Sequence, residues 1–288
     1  MRELRTLSQL ERQGITHERV RWALATGRWT LIIRGVYGRG PERPSELDIG
    51  RATALITGGV AIDRLAGALH GFDGVNVWAP EVAVPRSFSG RRDGLRRAST
   101  MPTDVVVIGQ VRCLPAAETL RTLAAILDDD TWEQALEFCL RKRHVTREQV
   151  AGWTNTNTVA ARRVRRVIKS RGGLDVPHTD SVLETLAIQL IRREGLPEPV
   201  RQYRVFDPDT GRLVARLDLA WPELGIFVEL DGQQHKDQPV YDARRQTLVT
   251  AIKRWQCGRL TWDDVVVDPE SGARQLGLLL RPVGSLVP

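Results

Sequence analysis

The amino-acid sequence predicts an α+β protein built from several domains, and three observations carry that expectation. The chain has 288 residues, more than one hydrophobic core usually organises. From Leu213 to Asp231 apolar and polar residues alternate with the period of two that marks strands. At the other end, Leu4, Leu7 and Leu10, and then Val20, Ala23 and Leu24, recur with helical spacing. Four segments follow: residues 1–42, a middle region 43–153, a basic joint 154–178 and a C-terminal domain 179–288.

Residues 3 to 40 read as two helices and a hairpin. Gly14 ends the first helix, Thr16 is placed to cap the second, and Trp29 to Tyr37 supplies two short strands. A helix pair followed by a basic hairpin is the geometry of a winged helix, in which one helix reads a groove and the wing touches backbone. Arg19 and Arg21 lie off the apolar stripe, and Arg28, Arg34 and Arg39 surround the strands. These five are the candidate DNA contacts of this segment. With its Gly-Arg-Trp and Arg34-Gly-Val-Tyr37 runs, the segment resembles the N-terminal domain of AbiEi-type antitoxins, a resemblance that implies DNA binding and a toxin protein as partner.

The middle region is expected to be mixed α/β. Helices are predicted over Ser45–Thr57 and Ala61–Leu69, and strands at Val75–Ala79, Glu81–Val84 and Asp104–Ile108. An arginine-rich loop carries Arg86, Arg91, Arg92, Arg96 and Arg97, and a run of helices extends from Leu114 to about Gly152. The element ending at His70 and the Thr119–Ala124 run are similar to the region that accompanies such antitoxin domains. No catalytic constellation stands out here, and His70 reads as a structural histidine. In the joint, a helix from Val159 to Ser170 carries Arg162, Arg163, Arg165, Arg166 and Lys169. It either faces DNA backbone or is simply solvated.

In the C-terminal domain a helix is expected from Ser181 to Arg193, a strand from Val200 to Phe206, and then an acidic hairpin. Leu213, Ala215, Leu217 and Leu219 form the apolar row of one arm, and Ile226, Val228 and Leu230 that of the other. Keeping both rows on one face sets Asp218 opposite Glu229, with Asp231 roughly 6.6 Å further along the same strand. Facing carboxylates repel and need an offsetting cation, for which magnesium or manganese with oxygen ligands is the natural choice. His235 is a candidate general base or ligand. Ordinary surface ion pairs with Arg212 or Arg216 also satisfy this pattern.

The Asp218 strand, the run Phe-Val-Glu229-Leu-Asp231-Gly-Gln-Gln-His235, Asp242-Ala-Arg-Arg245 and Arg259-Leu-Thr-Trp-Asp-Asp-Val265 together resemble the Vsr-like (very-short-patch-repair endonuclease related) branch of the PD-(D/E)XK nucleases, over about the last third of the chain. The resemblance implies a restriction-endonuclease-like domain with a central mixed sheet and a metal-dependent DNA endonuclease of phage defence or DNA repair. Its magnesium or manganese would sit on Asp218, Glu229 and Asp231. Glu184 is the acid such domains supply from their first helix, and Ser181-Val-Leu-Glu184 equally fits a capping box. Arg244 or Arg245 would neutralise charge on the phosphate, or be solvated. The family's lysine is replaced by Asp231, which leaves His235 or Lys236 to stand in for it. The alternative from another class is a non-catalytic DNA-binding regulator of the AbiEi type, with a degenerate nuclease domain.

Composition agrees with a nucleic-acid partner. Lys plus Arg number 42 against 35 acids, a net charge of +7, and the pI is about 9.9. Such a balance favours polyanions. Only three cysteines are present, Cys113, Cys139 and Cys257, which suits a reducing cytoplasm and argues against a disulfide framework. With no run long enough for a membrane span and a charged start, the expectation is a soluble cytoplasmic protein with no membrane partner.

Overall fold

The computed structural model describes residues 1–231, 247 and 249–281. It is mixed α and β, with three sheets among the described residues. The chain divides into two compact units, Met1–Cys139 with Arg143–Val167, and Leu140–Lys142 with Ile168–Pro288. No helix among the described residues is long and apolar enough to cross a membrane.

The first unit begins with strand β1 (Leu4–Thr6), helix α1 (Leu7–Arg12), helix α2 (His17–Ala25) and the hairpin β2 (Trp29–Ile33) and β3 (Val36–Arg39). Leu4, expected in the first helix, lies in β1 instead, because its strand pairs antiparallel with β3. The resulting sheet has the order β1-β3-β2. Thr6 is the physical boundary: its hydroxyl accepts from Gln9 N while Gln9 Oε1 accepts from Thr6 N, a reciprocal cap that starts α1 at Leu7. Gly14 turns the chain with φ 73°, and Thr16 caps α2 by accepting from Arg19 N at 3.3 Å.

Helix α3 (Glu46–Thr57) is started by a capping box between Ser45 and Asp48. Strand β4 (Val60–Ala61) and helix α4 (Asp63–His70) follow. Ile62, at the N-cap of α4, provides no side-chain cap. A distant carboxylate replaces it: Glu81 Oε2 accepts from Arg64 N at 2.6 Å. Strands β5 (Val82–Pro85), β6 (Leu95–Ala98), β7 (Val106–Ile108) and β8 (Val111–Cys113) complete a mixed sheet of order β6-β5-β4-β8-β7. Val75–Ala79 is not a strand, and the arginine-rich loop contains one, β6, whose Arg96 reaches the buried Asp63 at 2.7 Å. Its polar face hid it, since Arg96 and Arg97 break the apolar alternation.

Helices α5 (Ala116–Leu123), α6 (Asp129–Arg141), α7 (Arg147–Gly152) and α8 (Val159–Ser170) follow, with a 3₁₀ turn at Trp153–Asn155. Trp132 is the largest fully buried side chain, and its indole N–H donates to Leu120 O at 2.9 Å. His70 Nε2 donates to Leu114 O at 2.8 Å, and the ring lies beside Cys113, Phe72 and His144. That matches a structural histidine.

In the second unit, helix α9 (Val182–Arg193) precedes strands β9 (Val200–Phe206), β10 (Leu213–Trp221), β11 (Ile226–Asp231) and β12 (Gln256–Thr261), and helix α10 (Pro269–Leu279) closes the described chain. The sheet order is β12-β11-β10-β9, with β11 and β12 parallel and the other neighbours antiparallel. Asp268 caps α10 by accepting from Ser271 N, while Asp264 turns back onto Thr261.

The expected single apolar row on the hairpin is divided. Leu219, Trp221, Ile226, Val228 and Leu230 join α9 and α10 in one core, whereas Ala215, Leu217, Ala220 and Phe227 join Val205 in another. Leu213 is exposed. The hairpin therefore has no wet face along β11, which is buried from Ile226 through Leu230 because it is an inner strand with packing on both sides.

Two outcomes follow for the first unit. Replacing Trp132 by alanine removes a fully buried indole and is expected to cost about 3–5 kcal/mol, read from the urea midpoint. Burial first, and the neighbouring His144 second, hold the His70 pKa below its usual 6.5, against the opposing bond to Leu114. Its unfolded form therefore takes up a proton first, so stability falls as pH drops from about 6.5 toward the folded value. Urea midpoints measured from pH 7.5 to pH 5 should show that decline, and His70→Gln should flatten it.

Candidate functional site

Asp218 and Glu229 lie where the paired register of β10 and β11 ends. Leu219 pairs with Val228 and Trp221 with Ile226, so one step along that register Asp218 comes level with Glu229. There the Asp218 carboxylate takes over from the ladder: its Oδ2 accepts from Leu230 N at 2.9 Å. Glu229 is 8% exposed and Glu184 only 4%. Both acids sit at the edge of apolar cores, where an unshielded charge is costly.

Glu184 opens the buried stripe of α9 that continues through Ala187, Ile188 and Ile191, the i, i+3, i+4, i+7 spacing of a core-facing helix. Ser181 caps α9 by accepting from Glu184 N at 3.2 Å. The Glu184 carboxylate does not return to Ser181 N as a capping box requires. It accepts instead from Asp180 N at 2.9 Å and from Gln202 Nε2 at 2.6 Å. Burial, the largest influence, and the neighbouring Asp218 and Asp180 push its pKa up to about 7, against the pull of its two hydrogen-bond donors. Near neutral pH this carboxyl is poised between donor and acceptor.

Asp231 lies on the described end of β11, and its carboxylate faces Arg259 Nη1 at 3.2 Å. Arg259 comes from β12, paired with Glu229 in the parallel ladder. Arg216 pairs with Asp180 rather than with Asp218, and His178 Nδ1 lies 3.7 Å from the same Asp180 carboxylate. His235, Lys236, Arg244 and Arg245 lie outside the described residues. Among the described residues no three His, Cys, Asp or Glu side chains converge as a group able to hold a metal ion.

Two residues of this neighbourhood escaped the reading of the sequence. Asp180 supplies the backbone N–H that holds Glu184. Gln202 stands between the paired positions Arg201–Leu219 and Tyr203–Leu217, level with Asp218. Its φ is 53°, a left-handed value unusual for glutamine, and its buried Oε1 has no hydrogen-bond partner among the described residues. The signal was available in the strand arithmetic, since laying Val200–Phe206 against the Asp218 arm sets Gln202 beside the acid.

In the first unit Arg19, Arg21, Arg28, Arg34 and Arg39 are all exposed. The Arg28 guanidinium lies 4.5 Å from the ring centre of Trp22, itself 52% exposed. A cleft of about 520 Å³ beside them is lined by Glu3, Gly27, Arg28, Trp29, Arg39, Gly40 and Pro41. Exposed arginines with aromatic rings at hand are the ingredients of phosphate contact and base stacking. Arg39 is partly held by Glu3 at 3.6 Å. The basic helix α8 is less available: Arg163 and Arg166 both engage Asp129, and Arg165 donates to the carbonyls of Thr154 and Thr156.

No family model matches this chain, and no curated protein or solved structure matches it.

The raised Glu184 pKa yields a sign that can be checked in chelator-treated protein. The folded chain holds this proton more tightly than the unfolded one, whose value is near 4.5. Its contribution to stability is thus full below about pH 4.5 and is lost as pH rises through about 7, a span worth roughly 3 kcal/mol. Glu184→Gln should therefore raise the thermal midpoint of the second unit at pH 8, with little gain at pH 5. Equal effects at both pH values would contradict the burial argument.

Proposed function

We propose that this chain is a metal-dependent DNA endonuclease that hydrolyses phosphodiesters in its second unit and binds DNA through its first. One observation carries the reading: Glu184 and Asp218, two carboxylates close enough that one raises the pKa of the other, meet at the opening between β10 and β11. A buried carboxyl beside a second, partly exposed acid lowers stability at neutral pH, and such an arrangement is the mark of a site shaped by chemistry rather than by packing. The likeness of these residues to the Vsr-like nucleases supports the same reading and points to phage defence or repair.

The donors suit a hard dication. All are oxygens, and the buried Oε1 of Gln202, unpartnered among the described residues, is a further oxygen donor for such an ion. Asp218 and Glu229 would hold magnesium or manganese, while Asp231 faces Arg259. When bound, the ion lowers the pKa of a water and stabilises charge on the scissile phosphate. Glu184, whose two donors fix the orientation of its carboxylate, would take the proton from the attacking water. Arg19, Arg21, Arg28, Arg34 and Arg39 would position the duplex through phosphates.

A second reading is favoured by a different observation. Asp231 occupies the lysine position of the nuclease pattern and is paired with Arg259, and no three metal-binding side chains converge among the described residues. A DNA-binding regulator that no longer cuts would have this appearance.

Supercoiled plasmid incubated with magnesium or manganese distinguishes the two. Nicking or linearisation that is abolished by chelator, and at least 100-fold slower in Asp218→Ala and Glu229→Gln, is the expected result. Intact plasmid, together with DNA binding by the parent protein and unchanged binding by both variants, would support the regulator.

A further inference from the structure

We propose that Gln202 is a positioning residue with two functions in this site, its amide N–H fixing Glu184 and its amide oxygen serving as a ligand to the divalent cation held by Asp218. The inference rests on reading the site as a metal centre. Four observations meet at this one side chain. Its place on β9, between the pairs Arg201–Leu219 and Tyr203–Leu217, sets it level with Asp218. Its Nε2 donates to Glu184 Oε2 at 2.6 Å. Its Oε1 is buried without a hydrogen-bond partner among the described residues. Its backbone is left-handed at φ 53°.

A glutamine retained only to satisfy Glu184 would be expected to use its oxygen on a neighbouring N–H or on solvent. Among the described residues the oxygen is withdrawn from both, on a side chain that touches one carboxylate and stands level with another, where a further acceptor adds to the repulsion. A cation reverses the sign of that cost, because amide carbonyl oxygens are ordinary ligands of hard divalent ions. The left-handed backbone departs from strand geometry at the same residue, and residues held in sparsely populated conformations concentrate where a side chain must be aimed. The neighbouring strand also changes at this level, since Leu217 and Leu219 pack into different cores on either side of Asp218. Gln202 thereby links the metal side of the site to the carboxylate that handles the proton.

The test measures Mn²⁺ affinity of the full chain by calorimetry and by the electron paramagnetic resonance of free Mn²⁺, with folding checked by circular dichroism. Gln202→Met keeps the length and loses both amide groups, and is expected to weaken Mn²⁺ binding about 10-fold or more. Gln202→Glu keeps an oxygen and adds charge, and is expected to bind Mn²⁺ at least as tightly as the parent while losing the donor to Glu184. Parent affinity in a folded Gln202→Met protein, or weakened binding in Gln202→Glu, would overturn the assignment while leaving the metal centre in place. Failure of the parent chain to bind Mn²⁺ at all would remove the metal reading itself, and the role of Gln202 with it.

Discussion

The second unit depends on a buried carboxyl, Glu184, set beside the partly exposed carboxylate of Asp218. Glu184 begins the apolar stripe of α9 and Asp218 lies where the β10–β11 ladder stops, so the charge of Asp218 adds to the cost of ionising Glu184. The surroundings offset that cost only in part. Glu184 has the Asp180 N–H and the Gln202 amide, Asp218 has the Leu230 N–H, and Asp180 is held by Arg216. Arg259, level with Glu229 on β12, is directed to Asp231. Every one of these partners comes from a different element, so the acid pair requires α9, β9, β10 and β11 to be in register at once. A packing defect in either core of the unit would be felt at the acids.

The first unit is held by a different logic, in which polar groups mark the ends of elements and apolar groups fill between them. Capping boxes at Thr6, Ser45 and Thr146 set three helix starts from local sequence. Helix α4 has no local cap, and Glu81 reaches it from the segment before β5. Arg51, almost fully buried, ties α3 to the segment before β1 by donating to Arg2 O at 2.9 Å. Burial lowers its pKa, yet the neighbouring Asp48 supports the charge. The arginines that drive the net charge are thus of two kinds. Arg51, Arg163 and Arg166 are committed to internal partners, whereas Arg19, Arg21 and Arg34 stand on the surface of the helix pair and the hairpin turn.

This division limits what net charge alone conveys. A value of +7 favours polyanions, but the most arginine-dense helix, α8, spends several of its guanidiniums on Asp129 and on nearby carbonyls. The N-terminal patch carries fewer arginines and leaves them available beside Trp22 and Trp29. Density in sequence and availability in space are different quantities, because ion pairing depends on acids that lie far along the chain.

Local chemistry determined much of this protein by itself. Thr16, Ser45 and Ser181 announce their helices because a hydroxyl one residue before a helix satisfies an N–H there without help from the rest of the fold. The register of β10 and β11 was likewise legible, since Gly225, in the left-handed region at φ 64°, closes the turn and the apolar alternation sets the pairing. Tertiary structure decided the rest. Leu4 became a strand because β3 offered it a partner, and β6 formed despite its arginines because β5 paired with it. Glu184 satisfied two local descriptions, helix cap and site acid, until the burial of α9 turned its carboxylate toward Gln202. Gln202 itself gave no local sign, because its importance lies in being level with Asp218 across a ladder. A residue's neighbours along the chain fix its conformation within a turn or two, whereas the neighbours that set its charge, its burial and its chemistry are supplied by strands and helices folded back from elsewhere.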